Sequence, residues 1–162
     1  MASGHPDSGK AVIDTACAMS VAGSEWFEDY TGLLRAFCLD HLLQTEPCRE
    51  QFRFGNGGTL PSLRRVTVPA VICGLPMKIS VCIVEGSKLV LLLGRDFLEQ
   101  AQADVAVGRG LLRIGQHSCR LEQCAGGHFC IALKPESYLA LLEVHKPPSA
   151  TATSGPSAST CR

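Results

Sequence analysis

Two short runs in this chain set an acid beside a hydroxyl and a small residue: Asp7-Ser8-Gly9 and Asp14-Thr15-Ala16. A carboxylate does general acid–base work only where its surroundings fix its protonation state, so the setting matters more than the letters. Asp7 follows "SGHP" and precedes Gly9-Lys10, which predicts a solvated turn in a flexible terminus. Asp14 ends the apolar run "AVI", so a buried strand carries it inward. An unpartnered buried carboxylate costs several kcal/mol, and Asp14 therefore calls for a partner. Thr15 and Ala16 leave room for a second backbone to approach. The plainer alternative is a strand-end Asp closing an Asx-turn onto the next amides.

A second constellation is "HSCRLEQCAGGHFC", which holds His117, Cys119, Cys124, His128 and Cys130. These residue types bind zinc, but their spacing contains no Cys-x2-Cys knuckle. With nine Cys in the chain some clustering is expected, so no metal is assigned. Cys17 beside Asp14 reads as a small buried filler rather than a redox thiol. A cysteine-hydrolase reading would need Cys17 or Cys38 with His41. Cys38 and His41 fall on one turn of a helix, an arrangement catalytic Cys–His pairs rarely use.

The elements that would position these residues follow from patterning. Hydrophobic residues make up 46% and charged residues 19% of 162 residues, which supports one packed domain with a tail. "SEWFEDYTGLLRAFCLDHLLQ" carries Trp26, Tyr30, Leu33, Leu34, Phe37 and His41 at helical spacing, with Ser24 as N-cap and Gly32 as a break or bend. "QFRFGNGGTLPSLRRVTVPAVI" alternates on both sides of a Gly/Asn cluster, which predicts a hairpin. "MKISVCIVEG" alternates again, and the continuous run "KLVLLLG" predicts a strand buried on both faces. "RDFLEQAQA" predicts one or two helical turns entered at Arg95-Asp96, either as a strand exit with Asp96 capping the helix or as a specific anchor. "DVAVGRGLLRIG" and "HFCIALKP" predict closing strands. The expected fold is mainly β: a closed barrel with a helical insertion and one short C-terminal helix. Its domain spans 10–145, between a flexible 1–9 and a disordered Pro/Ser/Thr-rich 146–162.

Taken in order, "AVIDTA", the hairpin "FRFGNGG" and "LLLGRDFLEQAQADVAVGRGLLRI" resemble the three signatures of retropepsins, the retroviral and retrotransposon aspartic proteases. The likeness is strongest to the protease segments of long-terminal-repeat retrotransposon polyproteins. It implies an acid-protease-type barrel that acts as a homodimer, with Asp14 meeting its mate and Thr15 locking the two loops together. Ala16 stands where glycine is commoner, and Ala18 where retroviral members often carry an Asp that pairs with the Arg. The implied flap tip is Gly55, Asn56, Gly57 and Gly58. Gly94 would let the short helix pack under the catalytic loop, with Arg95 and Asp96 as anchors. The stretch 24–46 is longer than in compact retroviral enzymes.

The resemblance thus implies an aspartic endopeptidase acting on a peptide or polyprotein, without cofactor or metal. The rivals are a catalytically inactive retropepsin-fold binding or dimerisation module, and a small zinc-binding interaction domain. The formal net charge is zero, which removes the electrostatic case for nucleic acid or an anionic membrane; Arg64-Arg65 is too small a basic cluster to count. The N-terminal ten residues lack an apolar secretory core, and "KLVLLLG" is far short of the ~20 residues of a membrane span. These features, with a high and odd count of irregularly spaced cysteines, predict an intracellular, cytoplasmic protein without a disulfide framework.

Overall fold

A computed structural model of the chain describes residues 8–124 and 126–146. The expectations for 1–7, Asp7 among them, and for 147–162 lie outside the described residues. Ser8 and Gly9 already pack with the domain: Ser8 is buried, and the Gly9 carbonyl accepts from the Leu133 N–H at 2.8 Å.

The strands are β1 (Lys10–Ile13), β2 (Val21–Gly23), β3 (Gln44–Arg53), β4 (Thr59–Ile72), β5 (Leu75–Val84) and β6 (Leu91–Leu93). They continue as β7 (Ala103–Ala106), β8 (Leu111–Ile114), β9 (His117–Arg120), β10 (Glu122–Gln123) and β11 (Phe129–Ala132). The helices are α1 (Ser24–Ala36), α2 (Arg95–Gln100) and α3 (Tyr138–Val144).

Eight strands form one sheet in the order β10-β11-β1-β6-β2-β5-β4-β3, and β7-β8-β9 form a second. The sheets are not closed into a barrel, which corrects the expected architecture. The outer strands of the large sheet are a two-residue β10 and a ten-residue β3. Edges so unequal offer each other few ladder bonds, and the first four residues of β3 are exposed. The mainly β composition stands.

The centre of the large sheet determines where Asp14 sits. Strands β1 and β2 are consecutive in sequence, yet β6 lies between them, parallel to β1 and antiparallel to β2. The loop from Asp14 to Ser20 must therefore cross the end of β6. The β4–β5 hairpin turns on Cys73-Gly74, both at positive φ, as a two-residue primed turn requires.

Several local expectations are corrected. Helix α1 runs unbroken through Gly32, where a Cβ would meet only open space, so nothing there demands a bend. Its N-cap is Gly23, and the Ser24 hydroxyl instead accepts from Gly86 N–H at 2.9 Å. The helix stops at Ala36 because Cys38 takes φ +56°: Leu39 N–H bonds Leu34 O at 2.8 Å and Cys38 N–H bonds Arg35 O at 3.1 Å. That is a Schellman ending with cysteine in the usual glycine position. Phe37 and His41 are thus off the helix, and Gln44 opens β3 instead of closing a helix. Of "KLVLLLG" only Leu91–Leu93 is strand, and Leu92 is half-buried between the buried Leu91 and Leu93.

One core lies under the large sheet. Trp26, Tyr30 and Leu34 bury one face of α1 among Val66, Val68, Ile79, Val81, Ile83, Leu91 and Leu93. Each such fully buried aliphatic side chain contributes roughly 2 kcal/mol relative to exposure. Tyr30 keeps its hydroxyl satisfied by donating to Pro69 O at 2.6 Å.

Candidate active site

Asp14 stands one residue beyond β1. Its backbone N–H continues the parallel ladder to Leu93 O at 3.0 Å, and its carbonyl accepts from Cys17 N–H at 3.2 Å, closing a turn over 14–17. The Asp14 Oδ1 accepts from Ala16 N–H at 3.0 Å. This is the Asx-turn of the plainer reading. It orients the carboxylate without consuming it, since the second oxygen has no hydrogen-bond partner among the described residues. Ala16 is not one of the described non-glycine residues with positive φ, which are Cys38, Cys73, Gln102 and Lys134. Its methyl therefore imposes no backbone strain on this turn. Thr15 is exposed at the crest.

The rest of the loop is braced by the end of β6 and the start of α2. Cys17 O accepts from Arg95 N–H at 2.8 Å, and Ala18 O accepts from Asp96 N–H at 3.1 Å. These contacts require a close approach that only glycine allows at position 94. A Cβ there would lie 2.7 Å from Cys17 O and 2.8 Å from the Met19 carbonyl carbon. Asp96 Oδ1 accepts from Ser20 N–H, Ser20 Oγ and Phe97 N–H, each at 2.8 Å. Ser20 Oγ in turn accepts from Gly94 N–H at 3.0 Å. Asp96 thus does not cap α2, whose N-cap is Gly94; it ties the helix to the loop. Arg95 is exposed, and its guanidinium has no partner among the described residues.

Sequence reasoning passes over Ser20. Its only signal is a small polar residue wedged between Met19 and the buried Val21. Cys17 Sγ donates to Met19 O at 2.9 Å. Burial raises its pKa, and the charges of Asp14 and Asp96 raise it further against the lowering effect of the Met19 backbone contact. The net direction is that of an unreactive thiol.

Asp14 opens onto a cavity of about 580 Å³. The cavity's floor is the outward face of β1, where Lys10, Val12 and Asp14 alternate. Val90 and Leu92 form one wall, and Gln123, Cys124, His128 and Cys130 the other. The second wall could not be read from sequence, because only the β1–β11 register, Val12 opposite Cys130, brings it there.

The other sequence candidates fall elsewhere. Gly55, Asn56, Gly57 and Gly58 form the exposed tip of the β3–β4 hairpin, and none of them lines the cavity. That tip is well made: Phe54 N–H bonds Gly58 O at 2.9 Å, Asn56 Oδ1 accepts from Gly58 N–H at 2.9 Å, and Gly57 takes φ +82°. Among the described residues no three His, Cys, Asp or Glu side chains converge as a metal site. Of the Cys/His cluster, Cys124, His128 and Cys130 reach the Asp14 cavity, while Cys119 lines a separate cleft with Cys73. His41 is exposed beyond α1 and is not among the described residues that line the Asp14 cavity. Among the described residues no helix is long and apolar enough to cross a membrane.

No protein-family model matches the chain, and no curated protein does. Among solved structures it is similar to the retroviral protease-like domain of Ddi1 from Leishmania major, at 16% identity and a TM-score of 0.43, over 68% of this chain and 77% of that one. At that distance the likeness carries no inference about chemistry.

Proposed function

We propose that this chain is a retropepsin-like aspartic endopeptidase domain, of retrotransposon polyprotein descent, that works as a homodimer. One observation carries the proposal: Asp14 is held by its Asx-turn at the mouth of a cavity, with one carboxylate oxygen unpartnered among the described residues, on a loop braced by Gly94 and Asp96. A lone carboxylate cannot serve as both base and acid at once. Two copies related by a twofold axis would bring Asp14 against its mate, and two carboxylates in contact share one proton. The ionised member takes a proton from water as that water attacks the peptide carbonyl carbon. The protonated member supplies the proton on the carbonyl side, and the leaving amine takes a proton as the C–N bond breaks.

In this reading Thr15, exposed at the crest of the turn, faces the partner's loop and holds it. The hairpin tip 55–58 folds down over an extended peptide and offers backbone amides. An inactive binding module is less well supported, because the Ala16 methyl is accommodated and its N–H is already engaged with Asp14.

The test is peptidase activity of the wild type and Asp14→Asn on a mixed-peptide library at mildly acidic pH, with oligomeric state measured alongside. Cleavage by a wild-type dimer and none by Asp14→Asn is the expected result. A demonstrated dimer that cleaves nothing would defeat the enzyme reading, and activity surviving in Asp14→Asn would assign the wrong acid.

A further inference from the structure

A second cleft, of about 400 Å³, is lined by the β4–β5 turn, β9 and the end of β11. It shares no lining residue with the Asp14 cavity among those described. Neighbouring residues of β10 and β11 go to opposite sides, as strand alternation requires. Gln123 and Cys130 face the Asp14 cavity, whereas Glu122 and Ile131 face this cleft.

The cleft combines an apolar surface with unpaired positive charge. Val71 and Ile131 are its buried lining residues, while Ser118, Arg120 and Lys134 are exposed at its edge. Among the described residues the Arg120 guanidinium and the Lys134 ammonium have no carboxylate partner, and the Ser118 hydroxyl has no hydrogen-bond partner. Glu122 is the carboxylate that lines the cleft among the described residues, and its Oε2 already lies 3.0 Å from Lys10 Nζ. Burial pushes the Cys73 thiol up to about 12, so that lining group stays neutral.

The backbone adds an independent sign. Lys134 takes φ +42°, a left-handed conformation that glycine adopts freely and lysine does not. Glycine would relax the chain at this point but would remove one of the two cations from the cleft. Strained residues of this kind concentrate at ligand-holding sites.

We propose that this cleft binds a small organic anion, a carboxylate carried on an apolar body, independently of whether the chain is a protease. Arg120 and Lys134 hold the carboxylate, with the Ser118 hydroxyl as a further donor. Val71 and Ile131 take the apolar body. Glu122 at the margin favours one negative charge over two, and a bare inorganic anion leaves the apolar surface wet.

The experiment titrates the full-length wild-type chain with hexanoate, hexanamide, hexylamine or inorganic phosphate, followed by amide NMR. Hexanoate is expected to bind in the millimolar range and to shift residues 118–122 and 131–134. Its affinity should exceed that of hexanamide about tenfold, the modest ratio of two exposed cations, with hexylamine poorest. Phosphate should bind more weakly than hexanoate, and added salt should weaken hexanoate binding. Arg120→Gln and Lys134→Gly are each expected to cost about threefold in hexanoate affinity. Lys134→Gly should do so while melting at a higher temperature than the wild type, which separates lost binding from lost folding.

Equal binding of hexanoate and hexanamide overturns the assignment, as do shifts confined to other parts of the chain. Phosphate binding as tightly as hexanoate overturns the organic anion in favour of a bare phosphate site. Undiminished hexanoate affinity in both folded variants removes the roles given to Arg120 and Lys134, and the proposal with them.

Discussion

The buried hydroxyl of Ser20 and the carboxylate of Asp96 meet at 2.8 Å, and the same Asp96 oxygen also takes the Ser20 backbone N–H. Separated by 76 positions in the chain, these two residues join the end of the Asp14 loop to the first turn of α2. Ser20 is fully buried and passes the network on by accepting from Gly94 N–H. Ser20→Ala leaves that amide without an acceptor in a dry setting, a loss of about 1–3 kcal/mol. Urea denaturation should show the midpoint fall with the slope unchanged. An unaltered midpoint would mean that the network does not hold the loop.

Two glycines give opposite expectations for the same substitution. Gly94→Ala drives a Cβ into the backbone of Cys17 and Met19 and should cost about 1–3 kcal/mol while displacing the Asp14 loop. Gly32→Ala adds a methyl to an exposed helix-interior position with open space around it and should stabilise by about 0.5–1 kcal/mol. Thermal melts of the two variants side by side decide the matter; shifts of the same sign would contradict the packing described.

The end of α1 predicts a gain from removing a side chain. Cys38 is exposed and left-handed, so little packing is lost with its thiol while backbone strain of about 1 kcal/mol is relieved. Cys38→Gly should be more stable than the wild type by about that amount, and Cys38→Ala should not. Equal gains for both would point to the thiol rather than to φ.

Burial gives the cysteines a signature in alkali. Desolvation, the main cause for each, pushes Cys82 and Cys130 up to about 11 and Cys73 up to about 12. Neighbouring thiols add to the rise: Cys48 beside Cys82, Cys124 beside Cys130 and Cys119 beside Cys73, with Arg65 opposing it at Cys82. A folded-state pKa raised above its unfolded value means that the neutral thiol is the form that folds. This stability is complete below the unfolded value near 9 and is lost as pH rises through about 11. Unfolding free energy measured from pH 8 to 11 should therefore fall, and more shallowly in Cys82→Ala once its lower starting stability is subtracted. A flat profile would contradict the burial.

Much of what positions Asp14 was readable from the chain. Three apolar residues before a carboxylate make β1, and the Gly-Asn-Gly-Gly cluster makes the β3–β4 turn, because both signals are local. Helix α1 was legible in its buried face but not in its end, since the residue that stops it is a cysteine doing what glycine usually does. Strand β3 was missed over 44–50 because its first residues are exposed on both sides and so do not alternate. Barrel closure was wrongly expected, because closure depends on matching edge strands that no single segment encodes. The Asp14 cavity was half legible: Lys10 and Val12 share its face by strand alternation, while Gln123, Cys124 and His128 arrive through pairing across the sheet.

The dimeric dyad is tested most directly by how peptidase activity per chain depends on protein concentration, and on added Asp14→Asn. If the catalytic pair is assembled from two chains, specific activity rises with concentration and levels off as the dimer saturates. Added Asp14→Asn chains then titrate activity away by forming mixed dimers with one carboxylate. Activity per chain that is independent of concentration and untouched by Asp14→Asn would contradict a two-chain active site.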